Sequence, residues 1–413
     1  MTNIRHWLVM TILCLSGGVI FLLPFLREVY YIPMQEAFGY NNTQLGIQMS
    51  VFGAASLLSY FPGGWIADRY SARKLITGAS IAVGLGGFYF STSPSYEMGI
   101  LLHAYWGAAI SLAFWGAMIK TTRNWAPAEE QGRAFGILEG GRGLSEVITS
   151  TAFLAVFAWL GSEVDGLMRV IQLFAVTNIL LGVAAWFILE DDEHSTQDNV
   201  KKVGMDEIKA VLKMPAVWLI SLVVMTAYSA YWGTFYFTPY ATDAFGLSVV
   251  VGGAIGVGKG WLKPLAAIGA GFLADKIGVA TSVFGFFLIL VVGFTLFSFM
   301  PGDEAFLIPM LINAAVVSLA VFALRGIYFA LLEDGGVPTA VTGTAAGVVS
   351  AIGFTPDVFM PLIGGVLLDA YPGVAGYQIL YGFIAVLCAA GAVTTKVLMN
   401  RAARPQQAES SAG

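Results

Sequence analysis

The sequence predicts an all-α membrane protein built from twelve spans. Three observations carry that expectation: a composition too apolar for a soluble domain, twelve apolar runs of membrane length, and a one-sided distribution of lysine and arginine. Of the 413 residues, 57% are hydrophobic and only 11% charged, with a mean hydropathy of +0.76. A soluble domain carries about 25% charged residues.

A spanning helix needs about 20 mostly apolar residues. Such runs fall at 7–34, 43–67, 75–92, 98–121, 133–160, 168–190, 214–240, 248–274, 281–300, 305–332, 338–369 and 375–397. Span 1 follows Arg5 and is too long, and too poor in small residues at its end, to read as a cleaved leader. Spans 2 to 6 follow in close order, rich in the glycine that lets membrane helices approach. The one long polar interruption, 191–213, separates six spans from six, and its later part (Ile208, Val211, Leu212) has the pattern of a short amphipathic surface helix. Spans 7 to 12 repeat the plan, giving halves 1–190 and 214–399 and a tail 400–413. Cys14 and Cys388 both lie in apolar spans and read as small buried hydrophobes.

Orientation follows from the basic residues. With the N-terminus inside, the cytoplasmic segments hold fifteen Lys and Arg, and the outer loops hold only Arg169. This bias places both termini in the cytoplasm. Five cations remain inside spans: Arg27, Arg142, Lys259, Lys263 and Arg325.

The two halves echo each other. GGWIADRYSARK (63–74) follows span 2 and GAGFLADKIG (269–278) follows span 8; both read Gly-x-x-Ala-Asp-(Arg/Lys) at a membrane exit. Glycine permits close helix packing, the aspartate can accept hydrogen bonds from a helix N-terminus, and the basic residues hold the loop to one face. The first copy resembles the signature of the major facilitator superfamily, with Ser71 in place of its second glycine and Ala72 in place of its first basic residue. The second copy keeps Gly271, Asp275, Lys276 and Gly278. The resemblance implies the superfamily fold, transport by alternating access, and a gating role for Gly64, Asp68, Arg69, Arg73, Gly271, Asp275 and Lys276. Topology anchoring alone is the plainer alternative.

Within that superfamily GTAAG (343–347) and AEEQGRAFGI (128–137) resemble the organophosphate:phosphate antiporter and organic anion branch. By that likeness Arg142 takes the place of a substrate-contacting histidine and Arg27 that of an arginine in span 1. Tyr231 stands where span 7 of that branch carries its second arginine, so phosphate exchange does not follow. The glycine- and asparagine-rich signature of nitrate transporters is absent from the sequence.

The intramembrane charges carry the functional argument. Each Arg or Lys at a helix centre costs roughly 2.5–3.5 kcal/mol, so five facing lipid would cost on the order of 12–17 kcal/mol. They must face a polar cavity or acidic partners, for which Glu28, Glu139, Glu146 and Asp357 are candidates. All fall in spans 1, 5, 8, 10 and 11; spans 3, 6, 9 and 12, peripheral in the superfamily, carry no charge in their middles. Glu139, Arg142 and Glu146 share one helix face, as do Lys259 and Lys263. Two lysines one turn apart repel, so an anion between them, a carboxylate of the protein, or one neutral lysine must resolve the conflict. Asp357, beside Pro356, is the expected partner of Arg325 or a proton site. Tyr231 and Trp232 could line the cavity and stack on an organic substrate. His103, near the outer end of span 4, reads as a wetted interface residue.

No Ser/His/Asp set, metal-spaced Cys/His cluster or P-loop is present in the sequence, so the expectation is no enzyme, no cofactor and no metal. The sequence reads as a monomeric secondary transporter of the cytoplasmic (inner) membrane, moving a small organic anion with protons or a counter-anion, with lipid but no nucleic acid as partner. Arg142, Lys259, Lys263 and Arg27 are the expected anion ligands, and Glu139, Glu146 or Asp357 the expected proton carriers. The alternatives are a proton-coupled exporter of drugs or neutral solutes and, lower, a non-transporting membrane sensor.

Overall fold

The computed structural model describes residues 2–127, 130–190, 205–338 and 341–410. Within 191–213 the first part, with His194, Lys201 and Lys202, lies outside the described residues, as do Ala128 and Glu129 of the 128–137 stretch. Among the described residues the regular structure is helical throughout.

The helices are α1 (Thr2–Val19), α2 (Arg27–Phe38), α3 (Asn42–Arg69), α4 (Ala72–Phe90), α5 (Tyr96–Trp125), α6 (Gln131–Trp159), α7 (Val164–Ile188), α8 (Met205–Leu212), α9 (Pro215–Asp243), α10 (Val249–Ile277), α11 (Val279–Phe299), α12 (Glu304–Asp334), α13 (Thr342–Gly353), α14 (Pro356–Ala370) and α15 (Val374–Ser410). Among the described residues seven of these (α5, α7, α9, α11, α12, α13 with α14, and α15) are long and apolar enough to cross a membrane. The count rises to eight if α3, bent by 53° at residue 61, is one span. The long helices α6 and α10 fall outside the seven; they carry the charges singled out above.

Two units divide the chain. The first gathers the described residues within Met1–Gln197 together with Gly246–Trp261 and Pro361–Asp369. The second holds the described residues within Asp198–Phe245, with Leu262–Met360 and those from Ala370 onward. Only 33% of the apolar window is buried in α7 and in α11, against 61% in α9 and 56% in α12.

Two expected spans are broken. Span 1 was expected to run unbroken over 7–34; instead α1 stops at Val19 and α2 starts at Arg27. Pro24 cannot donate to the ladder, and Pro33 crowds the turn before it, where Tyr30 leaves helical geometry at φ −112° and ψ 38°. Span 11, expected over 338–369, breaks between Gly353 and Pro356 for the same reason. Starts are set by local chemistry. The α3 N-terminus carries a capping box, in which the Asn41 side chain accepts from the Gln44 N–H and Gln44 accepts from the Asn41 N–H. Pro215 occupies the first turn of α9. The surface helix expected late in 191–213 corresponds to α8, but Val211 is buried while Leu212 is 41% exposed, so the two do not share a buried face.

His103 corrects an expectation. It is buried, its Nδ1 lies 2.8 Å from the Gly99 carbonyl, and its ring packs edge-on against Phe90 and Trp106. Aromatic packing from α4 and α5 shields it from the interface. Cys14 and Cys388 are free and buried, as small apolar side chains would be.

Candidate functional site

The best-defined charged position is Arg142, in the middle of α6. Its side chain crosses to α1, where Gly17 and Gly18 leave the space it needs. A Cβ at Gly17 would stand 2.9 Å from the Arg142 Cδ and Nε, and one at Gly18 would run into the Arg142 backbone carbonyl. Nε donates to the Gly17 carbonyl at 3.2 Å, and Nη1 donates to Glu139 at 2.5 Å. The guanidinium lies 5.0 Å from the Trp115 ring centroid. Trp115 closes a π-helical stretch, Ile110–Trp115, that interrupts α5; such bulges commonly mark functional positions. The Arg142 side chain is 15% exposed and Glu139 58% exposed. Among the described residues Nη2 makes no hydrogen bond. Glu146, one turn further along the same face, is half-buried.

In the same unit Lys259 of α10 meets Glu28 of α2, with Nζ 2.6 Å from Oε1 and the side chains 5% and 18% exposed. A protein carboxylate therefore lies at the Lys259 ammonium. The neighbouring Arg27 is buried, donates from Nη1 to the Leu45 carbonyl at 3.1 Å, and lies 5.0 Å from the Tyr31 ring. Its contacts tie the α1–α2 break to α3. Lys263, half-buried, belongs to the second unit.

The second unit gathers a different set. Arg325 of α12 lies 3.9 Å from the centroid of Tyr231 and 5.6 Å from that of Tyr228. Asp357 accepts from the Trp232 indole N–H at 2.9 Å. Arg325 and Asp357, expected as an ion pair, form none within 4.0 Å; cation–π contacts hold the first and an indole the second. Tyr231 and Arg325 are half-buried, and Trp232 is fully buried, stacked 4.5 Å from Phe235.

A sequence model of the Major Facilitator Superfamily matches residues 7–355. The chain belongs to the major facilitator superfamily. It is similar to the inner membrane protein YihN of Escherichia coli (strain K12), 31% identical over 96% of each chain. It is likewise similar to the inner membrane protein YqcE of that organism, 30% identical over 91% of this chain and 90% of that one. A nitrite extrusion protein of Bacillus subtilis (strain 168) is 25% identical over 90% of this chain and 82% of the relative. Among solved structures, a bacterial homolog to the human lysosomal transporter Spinster, inward-facing and occupied, superimposes with a TM-score of 0.76. It covers 95% of this chain and 96% of its own, at 15% identity, and speaks for the fold alone. This superfamily member is a transporter and not an enzyme, a multi-pass protein of the inner membrane.

The superfamily loop motif departs from its expected physics at two positions. Gly64 was expected to permit close packing, yet a Cβ there would meet nothing within 4 Å. The close approach occurs at Gly63, where a Cβ would run into the Ser111 carbonyl of α5. Gly271 is equally open. Asp68 and Asp275 are exposed, and among the described residues Asp68 accepts no hydrogen bond. Arg69 lies 3.8 Å from the ring centroid of Trp65, and Arg73 lies 4.1 Å from that of Trp186; Lys276 is exposed.

The contact expected of Asp68 is made by Asp369, a residue the sequence did not single out. Its carboxylate accepts from the Asn42 and Thr43 backbone N–H groups at 3.1 and 2.7 Å, and from the Asn42 side chain at 2.9 Å. It thereby caps α3. The sequence signal was an acidic residue at the end of an apolar span, shortly after Gly365. Trp115 and Tyr328 were missed as well, because single aromatic residues in apolar spans have no distinguishing pattern.

Proposed function

We propose that this superfamily member moves a small organic anion across the inner membrane by alternating access, driven by protons or by exchange against another anion. In this reading it has twelve spans in halves 1–190 and 214–399 joined by 191–213, with a tail 400–413 and both termini in the cytoplasm. The fifteen-to-one bias of basic residues supports that orientation.

The observation that carries the reading is Arg142. Its guanidinium is fixed by the Gly17 carbonyl and Glu139, and among the described residues Nη2 has no acceptor. A planar, pre-oriented donor of this kind suits an oxyanion. A relative named for nitrite extrusion supports an anionic substrate. In this reading Lys259 and Lys263 add positive charge, Arg27 braces α2, and Tyr231 offers an apolar face to an organic body, with the buried Trp232 packed behind the aromatic layer. Glu139, Glu146 and Asp357 are the proton carriers in this reading. The loop residues Gly64, Asp68, Arg69, Arg73, Gly271, Asp275 and Lys276 take the gating role.

The test is uptake by purified protein in liposomes, screened with phosphate esters, carboxylates and sulfonates. Uptake is expected to fall sharply in Arg142→Gln and Lys259→Gln; unchanged uptake in both overturns the cationic site. An imposed pH gradient accelerates uptake if protons drive it and leaves it unchanged if exchange does. A second reading, proton-coupled export of drugs or neutral solutes, is favoured by one observation: the pairs Lys259–Glu28 and Arg142–Glu139 each cancel their own charge. Transport of neutral solutes by a protein that moves no anion in the screen identifies it.

A further inference from the structure

The reading above places the anion on Arg142; the second unit holds a separate constellation. Arg325 sits between aromatic faces, and its Nη1 is buried with no hydrogen-bond partner among the described residues. Leaving a buried charged donor unmade is costly. Asp357, in the same cluster, does not supply the missing acceptor: its Oδ1 takes the Trp232 N–H, and Tyr228 lies beside it. Acid and base are thus held apart by aromatic groups. The Tyr231 and Tyr328 side chains hydrogen-bond the guanidinium, leaving Nη1 as its open donor, and Phe354 packs 4.9 Å from Tyr228. Arg325, Asp357, Tyr228 and Tyr231 are each half-buried.

The backbone points to the same place. α9 tightens to a 3₁₀ turn at Thr234–Tyr236, α12 does so at Tyr328–Ala330, and the α13–α14 break falls immediately before Asp357. Irregular backbone at membrane depth is tolerated where it is buried in protein or lines a polar cavity. Here three interruptions surround one Arg, one Asp and a set of aromatic residues.

We propose that this cluster is a substrate subsite for a hydroxylated organic anion. Arg325 takes the anionic group through Nη1, Asp357 accepts a hydrogen bond from a substrate hydroxyl, and the Tyr228 and Tyr231 rings cover the carbon skeleton. A plain inorganic anion would leave Asp357 facing negative charge; a neutral polyol would leave Arg325 unsatisfied. The combination selects a molecule with both features. This assignment rests on the anion-transport reading and deepens it by naming the substrate class.

The test is ligand binding by the purified full chain, read by tryptophan fluorescence and by thermal stabilisation. The probes are D-gluconate, D-glucuronate, galactarate and glycerol 3-phosphate, against hexanoate, sulfate and D-glucose. At least one hydroxylated anion is expected to bind about tenfold or more tightly than hexanoate, sulfate and glucose, the ratio a single charge-assisted hydrogen bond supports. Arg325→Gln is expected to weaken every bound anion, and Arg325→Lys to restore part of the loss. Asp357→Asn is expected to weaken the hydroxylated anion by about tenfold while leaving hexanoate unchanged. Thermal unfolding of each variant without ligand separates loss of the site from loss of the fold. Hydroxylated anions that bind no better than hexanoate overturn the proposal. So does anion binding that depends on Arg142 but not on Arg325; that result leaves the anion-transport reading standing. Glucose binding with no anion bound overturns both.

Discussion

Substituting Glu28→Gln removes the carboxylate that meets the Lys259 ammonium at 2.6 Å. The side chains are 5% and 18% exposed, so water cannot readily replace the lost partner. Breaking a pair this deeply buried by deleting one member costs about 3–5 kcal/mol, because the remaining charge keeps its desolvation penalty and loses its attraction. Removing both charges has a different sign of consequence. In Glu28→Gln with Lys259→Met the two penalties vanish together with the attraction, and the double variant is expected within about 1–2 kcal/mol of the parent. The assay is thermal unfolding in detergent of the parent, both single variants and the double variant, with the coupling read from the cycle. The expected order is parent and double variant together, both single variants well below. A Glu28→Gln protein as stable as the parent, with no coupling to Lys259, refutes the argument that this lysine depends on Glu28.

Four further outcomes follow from the packing. Gly63→Ala is expected to destabilise by about 1–3 kcal/mol, since its Cβ would run into the Ser111 carbonyl. Gly64→Ala, which meets nothing within 4 Å, should be neutral or gain up to about 1 kcal/mol in unfolding measurements. Asp369→Ala is expected to cost about 0.5–2 kcal/mol through loss of the α3 cap. Arg5 and Glu190 form a pair with side chains 55% and 67% exposed, so Glu190→Gln should leave the unfolding midpoint unchanged, as surface pairs generally contribute little.

The seven helices long and apolar enough to cross a membrane were legible because lipid imposes a length and an apolarity on every span. Of spans 3, 6, 9 and 12, whose middles carry no charge, 6 and 9 match the least buried windows, in α7 and α11, while span 12 in α15 is as buried as α5. The breaks were partly legible. Pro24, Pro33 and Pro356 mark them, but proline also stands inside α10 at Pro264 without ending it, so neighbouring packing decides. The π-helical stretch 110–115 has no marker in its residues.

Partner choice was the least legible part. Lys259 had four candidate carboxylates by sequence, and only the fold selects Glu28. Arg325 and Asp357 were close enough in expectation to pair, yet the aromatic side chains of α9 hold each of them. The helix-capping aspartate was sought in the repeated loop motif and found at Asp369, where Gly46 and Gly365 allow segments of the same unit to approach. Each choice depends on geometry that brings distant segments together, which no local pattern encodes.

The central claim is that an organic anion crosses the membrane with Arg142 as a ligand. Counterflow tests it most directly: liposomes loaded with unlabelled members of the phosphate ester, carboxylate and sulfonate panel are diluted into labelled anion, with parent protein and with Arg142→Gln shown to be folded by its thermal unfolding. The parent is expected to accumulate label for at least one anion, and Arg142→Gln to lose about 10- to 100-fold of that rate, the value of one charge-assisted hydrogen bond. Equal rates in the two proteins, or no anion accumulated by the parent while a neutral solute is, contradict it.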